Sequence, residues 1–274
     1  MERLRPALLL PRTPLVYVVA LVRISAIDSI SKYVPDIQDR LRRQGFPRRV
    51  EGQLKIVRFA PPSPPEITSV PRYEFQNRER TVGLVLTPES VALHASRYST
   101  FEEFCELFRV GLDAVHSIAN LQLIEQIALR YVDLVMPFED ESLDQYIHSG
   151  FLGLNQEELG LDRVVRSFVY RGEAAGTTFA IRLFQRDDGI GLPPDLEAGS
   201  TLHHSHASIA SNLIVTLLDF DHVAPMERTP IDFSSESVFS TLYRLHDKTD
   251  LAFRAAVTPH ARKVWGEGEI DATK

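Results

Sequence analysis

From Pro14 the chain reads PLVYVVALVRI, a run dominated by β-branched and apolar residues, and this predicts a strand with at least one fully buried face. Next, Ile27, Ile30, Val34, Ile37 and Leu41 recur at spacings of 3, 4, 3 and 4, the period of one helix face. Pro35 falls inside that pattern and predicts a kink or a restart, while Gly45 and Pro47 end it. GQLKIVRF predicts a second strand running to Phe59, and APPSPPEITSVP reads as a stiff proline-rich connector. The stretch YEFQNRERTVGLVLTPESVALHASRY predicts two or three antiparallel strands with a turn near residues 87–90.

Thr100 and Glu103 form a capping-box pair, and Phe101, Phe104, Phe108, Leu112 and Val115 make the apolar face of the helix that follows. LIEQIALRYVDLVMP then returns as a strand. Its alternation sets Leu129, Tyr131 and Asp133 on one face and Arg130, Val132 and Leu134 on the other. Residues 138–162 are acidic and mixed, a connector with one or two short helices. VVRSFVYRG and GTTFAIRLFQ predict a hairpin turning at residues 173–176, and RDDGIGLPPDLEAGSTLHH a loop. SNLIVTLLDFD is nearly continuous in apolar residues, as a central strand is. Ser234 or Ser235 caps a long helix with Val238, Leu242, Leu245, Thr249 and Phe253 on its face and its end at Pro259; HARKVWG completes the fold.

The two halves share an order: antiparallel strands, then one long amphipathic helix. The expected fold is therefore α+β, two similar lobes of antiparallel sheet each packed by a long amphipathic helix. The first lobe spans residues 12–137, the second, with the connector, 138–266, and residues 267–274 form a tail.

Composition narrows the function classes. Hydrophobic residues make up 44% of the 274 positions, enough for a substantial core, and the formal net charge of −7 argues against binding nucleic acid by bulk charge. The single cysteine, Cys105, rules out an internal disulfide and sits in an apolar helical pattern as a small buried hydrophobe. Pro11, Arg12 and Pro14 interrupt the first apolar run before it becomes a signal sequence. No uninterrupted apolar run reaches membrane-spanning length, so a cytoplasmic protein without a membrane association is expected.

LHHSHAS, at residues 202–208, places three histidines within four positions. On a strand His204 and His206 point the same way and are the candidate metal ligands. The candidates for catalysis are Asp219, Asp221 and His222 in LLDFDH: paired carboxylates at the end of a buried strand suit a metal-dependent hydrolase or nuclease. Each group also has a plain structural reading, as a solvated strand entrance and a strand-ending turn. Arg130, Tyr131 and Asp133 are the candidate binding residues, since charge on a central strand demands partners elsewhere. The arginines of DRLRRQGFPRR suit a solvated helix end. No H-E-x-x-H, G-x-S-x-G, G-x-G-x-x-G, P-loop or C-x-x-C pattern occurs, so no cofactor is expected.

PLVYVVALVRI, IALRYVDLV, LIVTLLDFD and LYRLHDKTDLAFRAAVTPHARKVWG together resemble a sporadically distributed, uncharacterised family of prokaryotic proteins of about this length. Its R-Y-hydrophobic-N/D strand and L-D-hydrophobic-D strand end are matched by Arg130, Tyr131, Asp133, Asp219 and Asp221, while the segment around His203, His204 and His206 departs from it. The resemblance implies a mobile accessory gene, as in phage defence or toxin immunity. The reading that follows is a non-enzymatic protein-interaction subunit, with a protein partner encoded nearby and a homo-oligomer as a further expectation. Two alternatives stand beside it: the metal-dependent hydrolase or nuclease, and a helix-grip-like protein holding a small ligand in an apolar cavity between sheet and helix.

Overall fold

The computed structural model describes residues 8, 10–58, 66–138, 140–154, 156, 158–162, 164–186, 191–197, 200–204, 214–226 and 228–268. In chain order the elements are β1 (Leu15–Ile24), α1 (Val34–Arg43), β2 (Arg48–Arg58), β3 (Glu66–Gln76), β4 (Val82–Thr87), β5 (Ser90–Ala95), α2 (Phe101–Ala119) and β6 (Leu123–Val135). They continue with β7 (Ser167–Ala174), β8 (Thr177–Arg186), α3 (Pro194–Glu197), β9 (Val215–Pro225), β10 (Ile231–Asp232), α4 (Ser235–Ala256) and α5 (Pro259–Val264).

The protein is α+β, built on one large antiparallel sheet. Its strands run in the order β2-β3-β4-β5-β1-β6-β9-β8-β7, and short β10 pairs with the start of β6. The groups expected as separate lobes are parts of this sheet. β6, from the first, bonds along its length to β9, from the second, with Arg130 opposite Asp221 and Val132 opposite Asp219. The continuity follows from composition: β1, β6 and β9 are apolar on both faces over most of their length, so each is stable only between neighbours.

Helices α1, α2 and α4 cover one face of the sheet. α4 packs on β6 and β9, α2 on β5, and α1 on β3 and α2. One core joins Val18, Val22, Leu93, Leu129 and Phe220 of the strands to Ile37, Phe108, Leu112, Leu242 and Leu245 of the helices. Burying each such side chain stabilises the fold by about 2 kcal/mol. Cys105 lies in this core as a buried thiol. The opposite face carries a strap, residues 191–197, which include α3, and 200–204, whose Leu192, Leu196 and Leu202 pack on Tyr17, Val132, Leu134 and Leu217.

Local signals explain the boundaries. Thr100 accepts a hydrogen bond from the Glu103 amide at 3.2 Å and so caps α2, while the Glu103 carboxylate receives the Ser99 hydroxyl rather than closing the box. Asn120 ends α2 in the left-handed region with φ 51°. Ala175 and Gly176, both left-handed, make the two-residue turn of the β7–β8 hairpin. Pro35 restarts the first helix: a single 3-10 turn at Ile30–Lys32 precedes α1, which takes the proline in its first turn, where no donor is lost.

Several expectations are corrected. Part of the proline-rich connector is strand, since β3 begins at Glu66 and holds Pro71 opposite Gln53; residues 59–65 lie outside the described residues. Arg48 and Arg49 belong to β2 rather than to a helix end. The long C-terminal helix stops at Ala256, and Pro259 opens α5 instead of ending α4, because Thr258 accepts from the Ala261 amide at 3.1 Å and caps a new turn. Among the described residues no helix is long and apolar enough to cross a membrane.

Candidate functional site

β6 divides its candidate residues between the two faces of the sheet. Arg130 points to the strap side. Its Nε and Nη2 donate to the two oxygens of Asp219 at 2.7 and 2.8 Å, and Nη1 donates to Asp195 of α3 at 2.6 Å. Arg182 of β8, directly opposite Asp219, donates to Asp219 at 3.0 Å and to Asp221 at 3.0 Å. The result is a chain of five charges, Asp195–Arg130–Asp219–Arg182–Asp221, with Asp219 fully buried at its centre. Burial works against the charge on Arg130, but the bonds to Asp219 and Asp195 outweigh it and push its pKa up. Burial likewise works to raise Asp195, and Arg130 holds it down. Both expected carboxylates are therefore occupied by guanidinium groups. The chemistry of the cluster is bidentate ion pairing that ties α3 to the sheet.

A second polar cluster lies on the same face, across β1. Glu74 of β3 is fully buried, and its Oε1 receives Gln76 Nε2 at 2.8 Å and lies 3.0 Å from His94 Nε2. Arg72 pairs with its other oxygen at 2.5 Å. The Tyr17 hydroxyl lies 2.8 Å from His94 Nδ1, on the far side of the ring. Burial favours the neutral acid, yet His94, Thr201 and Arg72 hold the Glu74 carboxyl down at about 2. Gly83 makes room: a Cβ there would sit 2.6 Å from His94 Nε2 and 2.8 Å from Glu74 Oε1. The strap closes over this cluster through Gln76 Nε2 to Thr201 Oγ1 at 2.6 Å and through the His203 amide to the Arg80 carbonyl at 2.7 Å.

Tyr131 and Asp133 point the other way, toward α4. The Tyr131 hydroxyl lies 3.0 Å from His246 Nδ1, and the His246 ring stacks on Phe101 at 3.9 Å. Asp133 is 4% exposed, and among the described residues its carboxyl makes no hydrogen bond and no ion pair. Burial pushes its pKa up to about 8, and the Asp219 carboxylate adds to the shift. It lines a pocket of about 100 Å³ between β6, β9 and α4, whose lining also includes Leu8, Leu10 and Thr13.

Among the described residues, neither His222 nor His204 joins the Asp219–Asp221 pair. His222 neighbours Asp221 in the chain and so faces the helix side. There its Nδ1 lies 3.1 Å from the Leu245 carbonyl and its Nε2 2.9 Å from Thr177 Oγ1, and burial lowers its pKa. His204 Nε2 lies 2.8 Å from Ser200 Oγ, its ring 5.9 Å from that of Tyr17; His203 is exposed, and His206 lies outside the described residues. Among the described residues no group of three or more His, Cys, Asp or Glu side chains could hold a metal ion.

Sequence reasoning passed over Arg182, Asp195, Glu74, His94 and His246. For Arg182 a signal existed: a lone charge inside the apolar strand AIRLF has the same pattern as Arg130 in ALRYV. Glu74 alternates with Tyr73 and Phe75 as a solvent-facing residue would, and its burial comes from tertiary neighbours, His94 in the sheet and Thr201 of the distant strap. In comparison with known proteins, no family model and no curated protein matches the chain.

Proposed function

We propose that this protein is a non-catalytic interaction subunit that docks a partner protein by adding a strand of the partner to the open β7 edge of its sheet. One observation carries the reading. Among the described residues β7 pairs with β8 alone, and of its eight residues Phe168 is half-buried and the other seven are exposed. Val169 and Tyr170 are 50% and 58% exposed, and Leu154, Leu159, Leu161 and Val165, in the segment leading into the strand, are exposed as well. An unpaired edge next to exposed apolar side chains is a template for strand addition: main-chain bonds supply affinity and alternate side chains supply specificity. The opposite edge, β2, is studded with Arg48, Arg49, Glu51 and Lys55, the charges that protect an edge from pairing.

The hydrolase reading fares worse. Asp219 and Asp221 would have to release Arg130 and Arg182 before either could bind a metal, and His222 lies on the other face of the sheet. The placement in a phage-defence or toxin–immunity system rests on the sporadic distribution of the resembling family, and with it the expectation that the partner is encoded nearby. Co-expression of the tagged chain with the product of each neighbouring gene tests the proposal. One product should co-purify in fixed stoichiometry and be lost in Val169→Lys/Tyr170→Lys, while Asp195→Ala leaves it bound. Failure of every product to co-purify, or co-purification indifferent to the β7 changes, would overturn the reading. Self-association lost in the same variant would name a second copy of the chain as the occupant instead.

A further inference from the structure

The pocket between the sheet and α4 is lined by no residue of β7. Asp133 is held at its wall, nine-tenths buried, with no hydrogen bond or ion pair among the described residues. A buried carboxyl without a partner costs the fold several kcal/mol when ionised. Such a cost is tolerated where a group outside the chain meets the carboxyl.

The lining indicates which group. It holds two carboxylates, Asp133 and Asp250, and no lysine or arginine among the described residues. Asp250 is already bonded to Arg254 at 2.9 Å, which leaves Asp133 as the carboxylate with its acceptors open. The other titratable groups facing it are Tyr98 and Tyr131, His246 of α4, whose Nδ1 is engaged by the Tyr131 hydroxyl, and Asp219 through the sheet. None of these brings a fixed positive charge. The remaining walls are the rings of Tyr98, Tyr131, Phe220 and Phe253, with Leu10 and Leu15. Aromatic faces attract a cation, and most strongly where water is excluded. An anion would meet the carboxyl groups at close range, and a neutral ligand would leave Asp133 protonated and gain no ion pair from it.

We propose that this pocket binds a small primary ammonium ion with a short apolar body, its –NH₃⁺ on Asp133 and its body among Tyr98, Tyr131, Phe220 and Phe253. The room of about 100 Å³ limits the body to a short alkyl chain or a single ring. Asp133 gives its proton to solvent as the ammonium seats, so the pair forms without covalent chemistry.

The test is an NMR titration of the isotope-labelled full chain with n-butylammonium chloride, with n-butanol as the neutral probe of the same shape. The ammonium should saturate with shifts at Tyr131, Asp133 and His246, and bind at least tenfold more tightly than butanol. Asp133→Asn keeps the size of the side chain and removes only the charge; it should lower ammonium affinity at least tenfold and leave butanol unchanged. Equal affinity for the two probes, undiminished ammonium binding by Asp133→Asn, or no saturable shift at these residues would overturn the proposal.

Discussion

Replacing Asp133 by Asn should stabilise the protein, and the gain should grow as the pH rises. The group is 4% exposed and has no partner in the described structure, and its pKa is raised to about 8. In the unfolded chain an aspartate titrates near about 3.9, so the folded value is the higher of the two. Below the unfolded value both states carry the proton and stability is full; as the pH climbs toward about 8 the folded state retains a proton that the unfolded state sheds, and stability falls. At about 1.4 kcal/mol for each unit, the burden is about 1.5 kcal/mol near about pH 5 and about 4 kcal/mol near about pH 7. Asn fills the same space and never ionises. Urea unfolding at these two pH values should therefore show the advantage of Asp133→Asn widening by about 3 kcal/mol. Parallel pH profiles for the two proteins would refute the reasoning, because they would mean that the carboxyl is solvated or paired in the folded state.

Other substitutions separate the buried centre of the ion chain from its exposed end. Asp219→Asn leaves Arg130 and Arg182 poorly compensated under the strap and should cost about 3 kcal/mol in denaturant unfolding, whereas Asp195→Ala, at the exposed end, should cost under about 1 kcal/mol. Gly83→Ala drives a methyl group into His94 and Glu74 and should lower stability by about 3 kcal/mol, read as a shifted thermal midpoint. Glu74 supplies stability above its unfolded value of about 4.3 that disappears as the pH falls toward about 2; a Glu74→Gln variant should lose less stability than the parent on acidification over that range. Thr100→Ala removes the acceptor at the start of α2 and should cost about 1 kcal/mol in urea unfolding.

What the sequence shows and hides follows from which interactions are local. The alternation in ALRYVDLV placed Tyr131 and Asp133 on one face and Arg130 on the other, and the structure has that arrangement, because a strand's two-residue period is fixed by its backbone. The cap at Thr100, the turn at residues 173–176 and the central position of β9 were legible for the same reason. The joining of strands into one sheet was not. β1 bonds both β5 and β6, and no local pattern states which strands are a central strand's partners. The strap is the second blind spot: its Gly- and Pro-rich sequence reads as a loop, yet Leu192 and Leu202 are buried and Thr201 seals the Glu74 cluster, so groups that alternate as solvent-facing residues become interior ones. The pairing of Arg182 with Asp219 is likewise set by the register of β8 on β9, a tertiary fact.

The central claim is that a partner is received at the β7 edge, and amide hydrogen exchange on the complex with the co-purified neighbouring gene product tests it most directly. The account predicts that amides of β7, Ser167–Ala174, gain strong protection when the partner is present, while β2 at the opposite edge is unchanged. Protection confined to another surface, with β7 exchanging as fast as in the free protein, would contradict it.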